Sequence, residues 1–422
     1  MRLFTLLAGA MLMAGMPAQA QEAGTVDANS NQTREAILRA GQANNAFGLD
    51  LFARLRDQDG NLFFSPYSIS TAMALAYTGA RGPTADQMAR VLRWSDRGGQ
   101  DRAWSPAVLA QVLGAAIADQ NRRAGRGDYE WVVANALWGQ EGFPFLADFL
   151  KTNEISYGGE LRPVDFAGHV EAARATINGW VEEQTRARIQ DLIPRGMLDR
   201  MTRLVLTNAI YFKGDWASPF DRERTVDRPF TLAEGKTVDV PMMDRTGRFS
   251  YAETDWLQVL EMPYQGHGLS MVVLLPKQIT GLARLEQGLA PEPLAGWLEG
   301  ARGREVVVTI PRFKLTGQFS LADALRAMGM EDAFSGAADF SGMTGRRDLF
   351  ISAVVHKAFV AVDEKGTEAA AATGVTMKLT SLAPPTQPVV FRADHPFVFL
   401  IRDQVSGAIL FMGRLADPGQ GA

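Results

Sequence analysis

The most informative segment of the sequence is Asp363-Glu364-Lys365-Gly366-Thr367-Glu368-Ala369-Ala370-Ala371-Ala372-Thr373-Gly374-Val375-Thr376-Met377-Lys378-Leu379-Thr380. Every second residue from Thr367 onward is small at first and apolar later, whereas the intervening residues are polar or minimal. This period of two is typical of a β-strand that buries one face. The Ala run also favours a helix, and an Ala-rich surface loop is the simpler interpretation of the stretch taken alone.

A second interpretation is a segment that exists in two states. Outside the fold it is a loop that a protease can cleave, and inside the fold it is a strand whose small residues enter between existing strands. As a strand, residues 367–379 would extend about 40 Å at roughly 3.3 Å per residue. Pro384, Pro385 and Pro388 follow closely, which favours an extended, exposed connection.

The rest of the chain predicts an α+β fold. The first half contains helical patterns, and Ser65-Pro66 provides a cap residue followed by proline in the first turn of one helix. The second half contains β-branched or aromatic runs, several of them apolar throughout, which indicates strands buried on both faces. These runs cover residues 204–212, 270–275, 306–310, 351–362, 397–401 and 409–412.

The composition excludes several classes of function. The chain has 422 residues, with 43 Lys and Arg against 47 Asp and Glu, so its net charge of −4 argues against a nucleic-acid partner. Because Cys is absent, the chain has no disulfide, no thiol nucleophile and no Cys-ligated metal site. No nucleophile–base pattern and no phosphate-binding loop is present, so we expect neither an enzyme nor a cofactor or metal.

The N-terminus predicts export. Residues 1–20 combine Arg2, an apolar run and Ala18-Gln19-Ala20, which is the pattern of a cleaved signal peptide and is too short for a comfortable membrane span. We expect a flexible segment at residues 21–40 and one domain at residues 41–418. The product is predicted to be extracellular or periplasmic, without membrane attachment, and its source is predicted to be bacterial.

Several blocks, in order, resemble the serpin family of serine protease inhibitors. They are Asn61-Leu62-Phe63-Phe64-Ser65-Pro66-Tyr67-Ser68-Ile69, Gly79-Ala80-Arg81-Gly82-Pro83-Thr84, Thr207-Asn208-Ala209-Ile210-Tyr211-Phe212-Lys213-Gly214-Asp215-Trp216, Val308-Thr309-Ile310-Pro311-Arg312-Phe313, Asp394-His395-Pro396-Phe397-Val398-Phe399 and Phe411-Met412-Gly413-Arg414. The resemblance covers the chain from Asn44 to Pro418.

The resemblance implies three β-sheets with a large central one, about nine helices, and an exposed reactive-centre loop at about residues 364–390. It also implies a monomer that acts as a suicide substrate: a target serine protease cleaves the loop, forms an acyl-enzyme and is trapped when the loop inserts into the sheet. The alternatives are a non-inhibitory serpin acting as chaperone or carrier, an inhibitor of cysteine proteases, or an exported hydrolase or binding module that merely uses the fold.

The resemblance also assigns roles to residues. The hinge residues that it implies are Glu364, Gly366, Thr367, Ala369, Ala371 and Thr373. The residues that it places where the sheet must open are Ser65, Ser68, Asn208, His356 and Trp216. Family spacing puts the reactive bond at Thr380–Ser381, with Leu379, Leu382 and Lys378 as alternatives. A glycosaminoglycan-like site at Arg122, Arg123 and Arg126 stays open beside the simpler explanation of a solvated surface.

Overall fold

The computed structural model describes residues 31–95, 103–124, 129–367 and 387–420. The α-helices among these residues are α1 (Asn31–Leu55), α2 (Pro66–Tyr77), α3 (Gly82–Val91), α4 (Pro106–Ala124), α5 (Ala147–Tyr157), α6 (Val170–Gln184), α7 (Leu282–Gly288), α8 (Pro291–Glu299), α9 (Ala322–Ala327) and α10 (Ser341–Thr344). The strands are β1 (Leu62–Phe64), β2 (Tyr129–Gln140), β3 (Glu160–Val164), β4 (Leu204–Asp215), β5 (Val226–Thr231), β6 (Thr237–Glu253), β7 (Leu257–Pro263), β8 (Leu269–Pro276), β9 (Arg302–Pro311), β10 (Phe313–Ser320), β11 (Ala353–Val362), β12 (Gly366–Thr367), β13 (Val389–Arg392), β14 (Phe397–Asp403) and β15 (Ile409–Leu415).

The α+β class is confirmed, and the six predicted apolar runs correspond to β4, β8, β9, β11, β14 and β15, although the run at residues 351–362 begins two residues before β11. The start of α2 is also confirmed. Ser65 is its N-cap, with the hydroxyl accepting a hydrogen bond from the backbone N–H of Ser68, and Pro66 stands in the first turn. This cap leaves the two serines at one helix end, facing the sheets.

One sheet has six strands in the order β10-β11-β12-β4-β2-β3 and corresponds to the large central sheet that the resemblance implies; it is called the large sheet below. Its central strands β4 and β11 run parallel and pair directly, from Val205 with Ala353 to Tyr211 with Phe359. Beyond Tyr211 and Phe359 the two strands no longer pair directly. The two residues of β12 lie between them there and run antiparallel to both. The centre of this sheet is therefore already divided at one end.

The other nine strands form one hydrogen-bonded sheet in which β6 is the joint. One end of β6 pairs with β5 and most of its length with β9, while residues 250–253 also pair with β7. Strand β6 thereby links the layer β7-β8-β14-β15-β1 to a second layer, in which β5 and β9 both pair with β6 and β13 pairs with β9. The three sheets that the resemblance implies thus connect as two, because one 17-residue strand serves both smaller layers.

The two faces of β4 meet different parts of the core. On this strand, Ile210 and Phe212 pack in an apolar cluster shared with the nine-stranded sheet. Its odd-numbered residues Val205 and Ala209 pack with Ile177 of α6 on the opposite face. The near-continuous apolar run of this strand follows from this burial on both sides.

The predicted flexible segment at residues 21–40 is wrong for its second half. Helix α1 begins at Asn31, and Thr33, Ile37 and Ala40 are buried on it. These positions continue, at helical spacing, the apolar face that includes Ala43 and Phe47, so the helix extends N-terminally beyond the predicted domain start. Residues 1–30, which include the predicted signal peptide, lie outside the described residues. Within the described part of the chain, no helix has the length and apolar character to cross a membrane.

Candidate functional site: the hinge and the sheet around it

The first hinge residues already belong to the large sheet. Gly366 pairs with Asp215 and Thr367 with Gly214 on the β4 side, and Thr367 pairs with Val362 on the β11 side. A segment that lies between two strands at their ends is positioned to continue between them. Any such continuation would have to separate the direct β4–β11 ladder.

Trp216 and Phe220 hold the backbone that leads into the hinge. The backbone N–H of Trp216 donates to the Lys365 carbonyl at 2.7 Å, and its indole Nε1 donates to the Asp363 carbonyl at 3.0 Å. The backbone N–H of Phe220 donates to the Glu364 carbonyl at 2.7 Å. These three hydrogen bonds therefore hold the backbone of residues 363–365 against Trp216 and Phe220.

Thr367 is fully buried, and its hydroxyl shares a hydrogen bond of 2.8 Å with the hydroxyl of Tyr264. The ring of Tyr264 stacks on that of Trp216, with 4.6 Å between centroids. Burial raises the pKa of Tyr264 well above its usual range, so the phenol stays protonated. The first inward-facing side chain of the hinge is thereby fixed by a polar contact inside an aromatic cluster.

Glu364 is a buried carboxylate held by one cation. Its Oε1 accepts a hydrogen bond from Nη2 of Arg312, a residue at the β9–β10 corner. Burial is the largest single influence and acts to raise the pKa of Glu364, but hydrogen bonds, led by that from Arg312, and the Arg312 charge together outweigh it, so the pKa is lowered. The ionised pair fixes the point where the chain leaves β11.

Gly366 is required by a close backbone approach. A Cβ atom at this position would lie 2.0 Å from the Gly214 carbonyl oxygen and 2.6 Å from the Asp215 Cα. Both are backbone atoms of β4, which cannot move aside without breaking the ladder. Glycine is therefore the one residue type that lets β12 sit between its neighbours without displacing β4.

The pairing of β12 sets the register for the residues that follow it. Continued in the same antiparallel sense, Ala369 would lie between Phe212 and Val360, Ala371 between Ile210 and Ala358, and Thr373 between Asn208 and His356. The direct β4–β11 ladder already pairs Ile210 with Ala358 and Asn208 with His356. One inserted strand can therefore satisfy both neighbours at once. The three hinge positions themselves lie outside the described residues.

Four of the predicted sheet-opening residues do meet beneath β4 and β11. The backbone N–H of Ser65 donates to His356 Nε2 at 3.2 Å, and His356 Nδ1 hydrogen-bonds to Asn208 Oδ1. The Asn208 amide nitrogen contacts both the Ser68 hydroxyl and Asn135 Oδ1. Asn135 on β2 is a member of this cluster that sequence reasoning missed. The fifth predicted residue, Trp216, lies at the hinge end of β4, where the resemblance places the residue that packs at the entry of the loop.

The contacts of His356 fix its protonation. Because Nε2 accepts from a backbone N–H, Nδ1 carries the proton and donates to the Asn208 carbonyl oxygen. Burial lowers the pKa of His356 to about 3, so the ring is neutral at physiological pH. The hydrogen bond between His356 and Asn208 crosses the very seam at which β4 and β11 pair.

Two groups of predicted positions remain, the reactive-bond candidates and the basic cluster. The reactive-bond candidates Lys378, Leu379, Thr380, Ser381 and Leu382, like Arg126 of the basic cluster, lie outside the described residues.

The two described arginines of that cluster are both paired. Arg123 forms a bidentate ion pair with Asp403 at 2.6 and 2.9 Å and a further bond to Asp119, which also binds Arg122. The Arg123–Asp403 pair attaches the C-terminal end of α4 to the end of β14. In the described part of the chain, no group of three or more His, Asp or Glu side chains is placed to hold a metal ion.

Comparison with known proteins gives one consistent result. The family model described as Serpin (serine protease inhibitor) matches residues 42–418. The leukocyte elastase inhibitor of Bos taurus is 44% identical over 386 residues, which covers 89% of this chain and 98% of that protein. An uncharacterized serpin-like protein of Thermococcus kodakarensis is 41% identical over 410 residues, covering 92% of this chain and 89% of its own length. The crystal structure of uncleaved ovalbumin superimposes with a TM-score of 0.80 at 32% identity, covering 90% of this chain and 100% of that one.

Proposed function

The chain belongs to the serpin family, and from that premise we propose that it is a suicide-substrate inhibitor of serine proteases. The observation that carries the proposal is the position of β12, which is paired with both β4 and β11 at the end of their seam. Relatives named leukocyte elastase inhibitor support the same function, since their alignment with this chain covers 98% of their own length.

The chemical step takes place in the protease and not in this chain. The protease serine Oγ would attack the carbonyl carbon of the residue before the reactive bond, which we place at Thr380. The peptide bond to Ser381 then breaks, the new amine takes the proton that the catalytic histidine had removed from the serine, and an ester joins protease and inhibitor. The inhibitor supplies the bond to be attacked and no catalytic group.

Trapping depends on insertion before water hydrolyses that ester. The strand from Thr367 onward would replace the seven direct β4–β11 residue pairs by two antiparallel ladders. The inward positions Thr367, Ala369, Ala371 and Thr373 are small enough to enter a packed face without a clash. The acyl-enzyme would be carried along the sheet by roughly 3.3 Å for each inserted residue.

One gel experiment separates this function from its rivals. The full chain is mixed with trypsin, chymotrypsin, elastase, subtilisin and the cysteine protease papain, and the products are run on denaturing gels. A covalent band at the summed mass with a serine protease supports the proposal, and mass spectrometry of the released C-terminal peptide locates the reactive bond. Cleavage by every protease without such a band refutes it in favour of a carrier or chaperone, and a band with papain alone redirects it to cysteine proteases.

Export belongs to the same proposal. The apolar run and the Ala18-Gln19-Ala20 pattern within residues 1–20 support a cleaved signal peptide, and the family model begins only at residue 42. The relatives reported above come from a vertebrate and an archaeon, so they lend no support to a bacterial source. N-terminal sequencing of the mature product tests the export prediction, with Gln21 as the expected first residue. Size-exclusion chromatography tests the expected monomer.

A further inference from the structure

A cavity of about 250 Å³ has Trp216 in its lining. Its lining combines the aromatic residues Trp216, Phe220 and Phe249 with Arg245 and Arg248. No carboxylate is among the described residues that line it. A largely enclosed aromatic space with two cations at its border is the kind of concave site that small ligands occupy.

The two arginines carry charge that the described part of the chain leaves uncompensated. Nη1 of Arg245 donates to the Pro219 carbonyl, but its Nε is buried and has no hydrogen-bond partner among the described residues. Burial lowers the pKa of Arg245, in keeping with a guanidinium partly removed from water. Arg248 is exposed and forms no ion pair with a described carboxylate, although Glu305 is its partner position in the β6–β9 ladder. A buried donor and an unpaired cation at one cavity favour an anionic ligand.

Gly247 lies beside two of the residues that line the cavity. A Cβ at this position would lie 3.3 Å from the Phe249 ring and 3.4 Å from Arg245 Nε, so a larger side chain there would crowd both. On the neighbouring strand, Gly303 lets the Arg248 guanidinium lie close to the backbone, since a Cβ there would be 3.0 Å from Arg248 Nε. Neither glycine lines the cavity, but the absence of a side chain at each leaves Arg245, Arg248 and Phe249 uncrowded.

We propose that this cavity binds a small aromatic carboxylate. Its carboxylate would accept hydrogen bonds from Arg245 Nε and from the Arg248 guanidinium, and its ring would pack against Trp216, Phe220 and Phe249. A cavity of about 150 Å³ holds benzene, so the larger volume here accommodates one or two fused rings with the acid group. The neutral amide of the same ring system fits the shape but lacks the charge that the two arginines require.

The ligand would touch the residues that hold the hinge. Trp216 and Phe220 line the cavity and also donate the hydrogen bonds that fix residues 363–365. Occupation of the cavity is therefore expected to alter the rate of loop insertion. That consequence rests on the proposed inhibitory function, whereas binding itself does not.

The direct test is isothermal titration of the full chain with 2-naphthoate, and with 2-naphthamide as the uncharged control. We expect one site, with naphthoate bound at least about tenfold more tightly than the amide. Gly247→Val crowds Arg245 and Phe249 and should abolish binding, and Arg248→Gln should weaken naphthoate by roughly tenfold while leaving the amide unchanged. Arg304→Gln is the matched control, because Arg304 is exposed on β9 opposite Phe249 but does not line the cavity.

Three results would overturn the assignment: no saturable binding of naphthoate, equal affinity for acid and amide, or binding that persists in Gly247→Val. Arg248 is exposed, so its variant keeps the test informative even if the glycine variant fails to fold. Protease trapping is measured separately. Loss of trapping with intact naphthoate binding contradicts the proposed function alone, and the reverse result contradicts the cavity proposal alone.

Discussion

Exchanging Glu368 and Ala369 tests the insertion register with composition and net charge held constant. In the register set by β12, position 368 would lie on the outer face beside Lys213 and Ala361, which are both partly exposed. Position 369 would face inward between Phe212 and Val360, which are both fully buried. The double variant Glu368→Ala/Ala369→Glu therefore moves one carboxylate from the outer to the inner face of the inserted strand.

The expected cost follows from ordinary carboxylate chemistry. At pH 7.4, protonating a glutamate of pKa about 4.3 so that it enters the apolar face costs about 4 kcal/mol, and burying it ionised costs no less. For a domain of about 380 residues, this lowers the melting temperature of the loop-inserted form by roughly 5 °C. If insertion stops at residue 369, the whole gain in melting temperature on cleavage disappears. At pH 5 the protonation cost falls to about 1 kcal/mol, so much of the loss should be recovered.

The assay compares melting by calorimetry before and after limited cleavage of the loop. The single variant Glu368→Ala is the control, and its cleaved form should melt as high as that of the parent chain. A double variant whose cleaved form also melts within about 1 °C of the parent would show that residue 369 does not face inward. The register drawn from β12 would then be wrong.

Three further predictions concern the described residues. Gly366→Val should drive β12 out of the sheet, because its Cβ would meet the β4 backbone at 2.0 Å; faster hydrogen exchange at Thr367 would report this, and unchanged protection would contradict it. His356 has a folded pKa lowered to about 3 from 6.5, so the folded state should lose stability as pH falls below 6.5, by about 2 kcal/mol at pH 5. Urea unfolding at pH 7.5 and 5 measures that loss, and His356→Gln should remove most of this pH dependence. Tyr264→Phe removes the buried partner of the Thr367 hydroxyl and should lower the free energy of unfolding by about 1–3 kcal/mol in the same assay.

The sequence predicted those elements whose pattern is uniform along their length. The run at residues 204–212 is buried on both faces, so it is apolar throughout and identifies β4 directly. Strand β2 (Tyr129–Gln140) was missed because it lies in the otherwise helical first half and its burial does not alternate. Strand β6 was missed for a different reason: it passes between two layers, so its exposed and buried residues follow no single period.

The site itself depends on contacts between distant parts of the chain. Ser65 and His356 are separated by 291 residues, and no local spacing could bring them together; only the family resemblance did so. Asn135 contacts the cluster, and Tyr264 and Arg312 contact the hinge; the last two carry no local sequence signal for that role. Asn135 interrupts an apolar strand, and that is the sole local hint of a polar partner nearby.

Two independent patterns agree along the seam, and their agreement is the strongest argument that the chain is adapted to two states. The receiving face is polar at Tyr264, apolar at the next two levels, and polar again where Asn208 hydrogen-bonds to His356. In the register that β12 sets, the hinge sequence would place Thr, Ala, Ala and Thr at the same four levels. Entry of the second threonine would separate the Asn208–His356 pair, and its hydroxyl is the group that could bond to the polar atoms so exposed. A loop adapted only to solvent would have no reason to repeat the polarity of a buried face that it does not yet occupy.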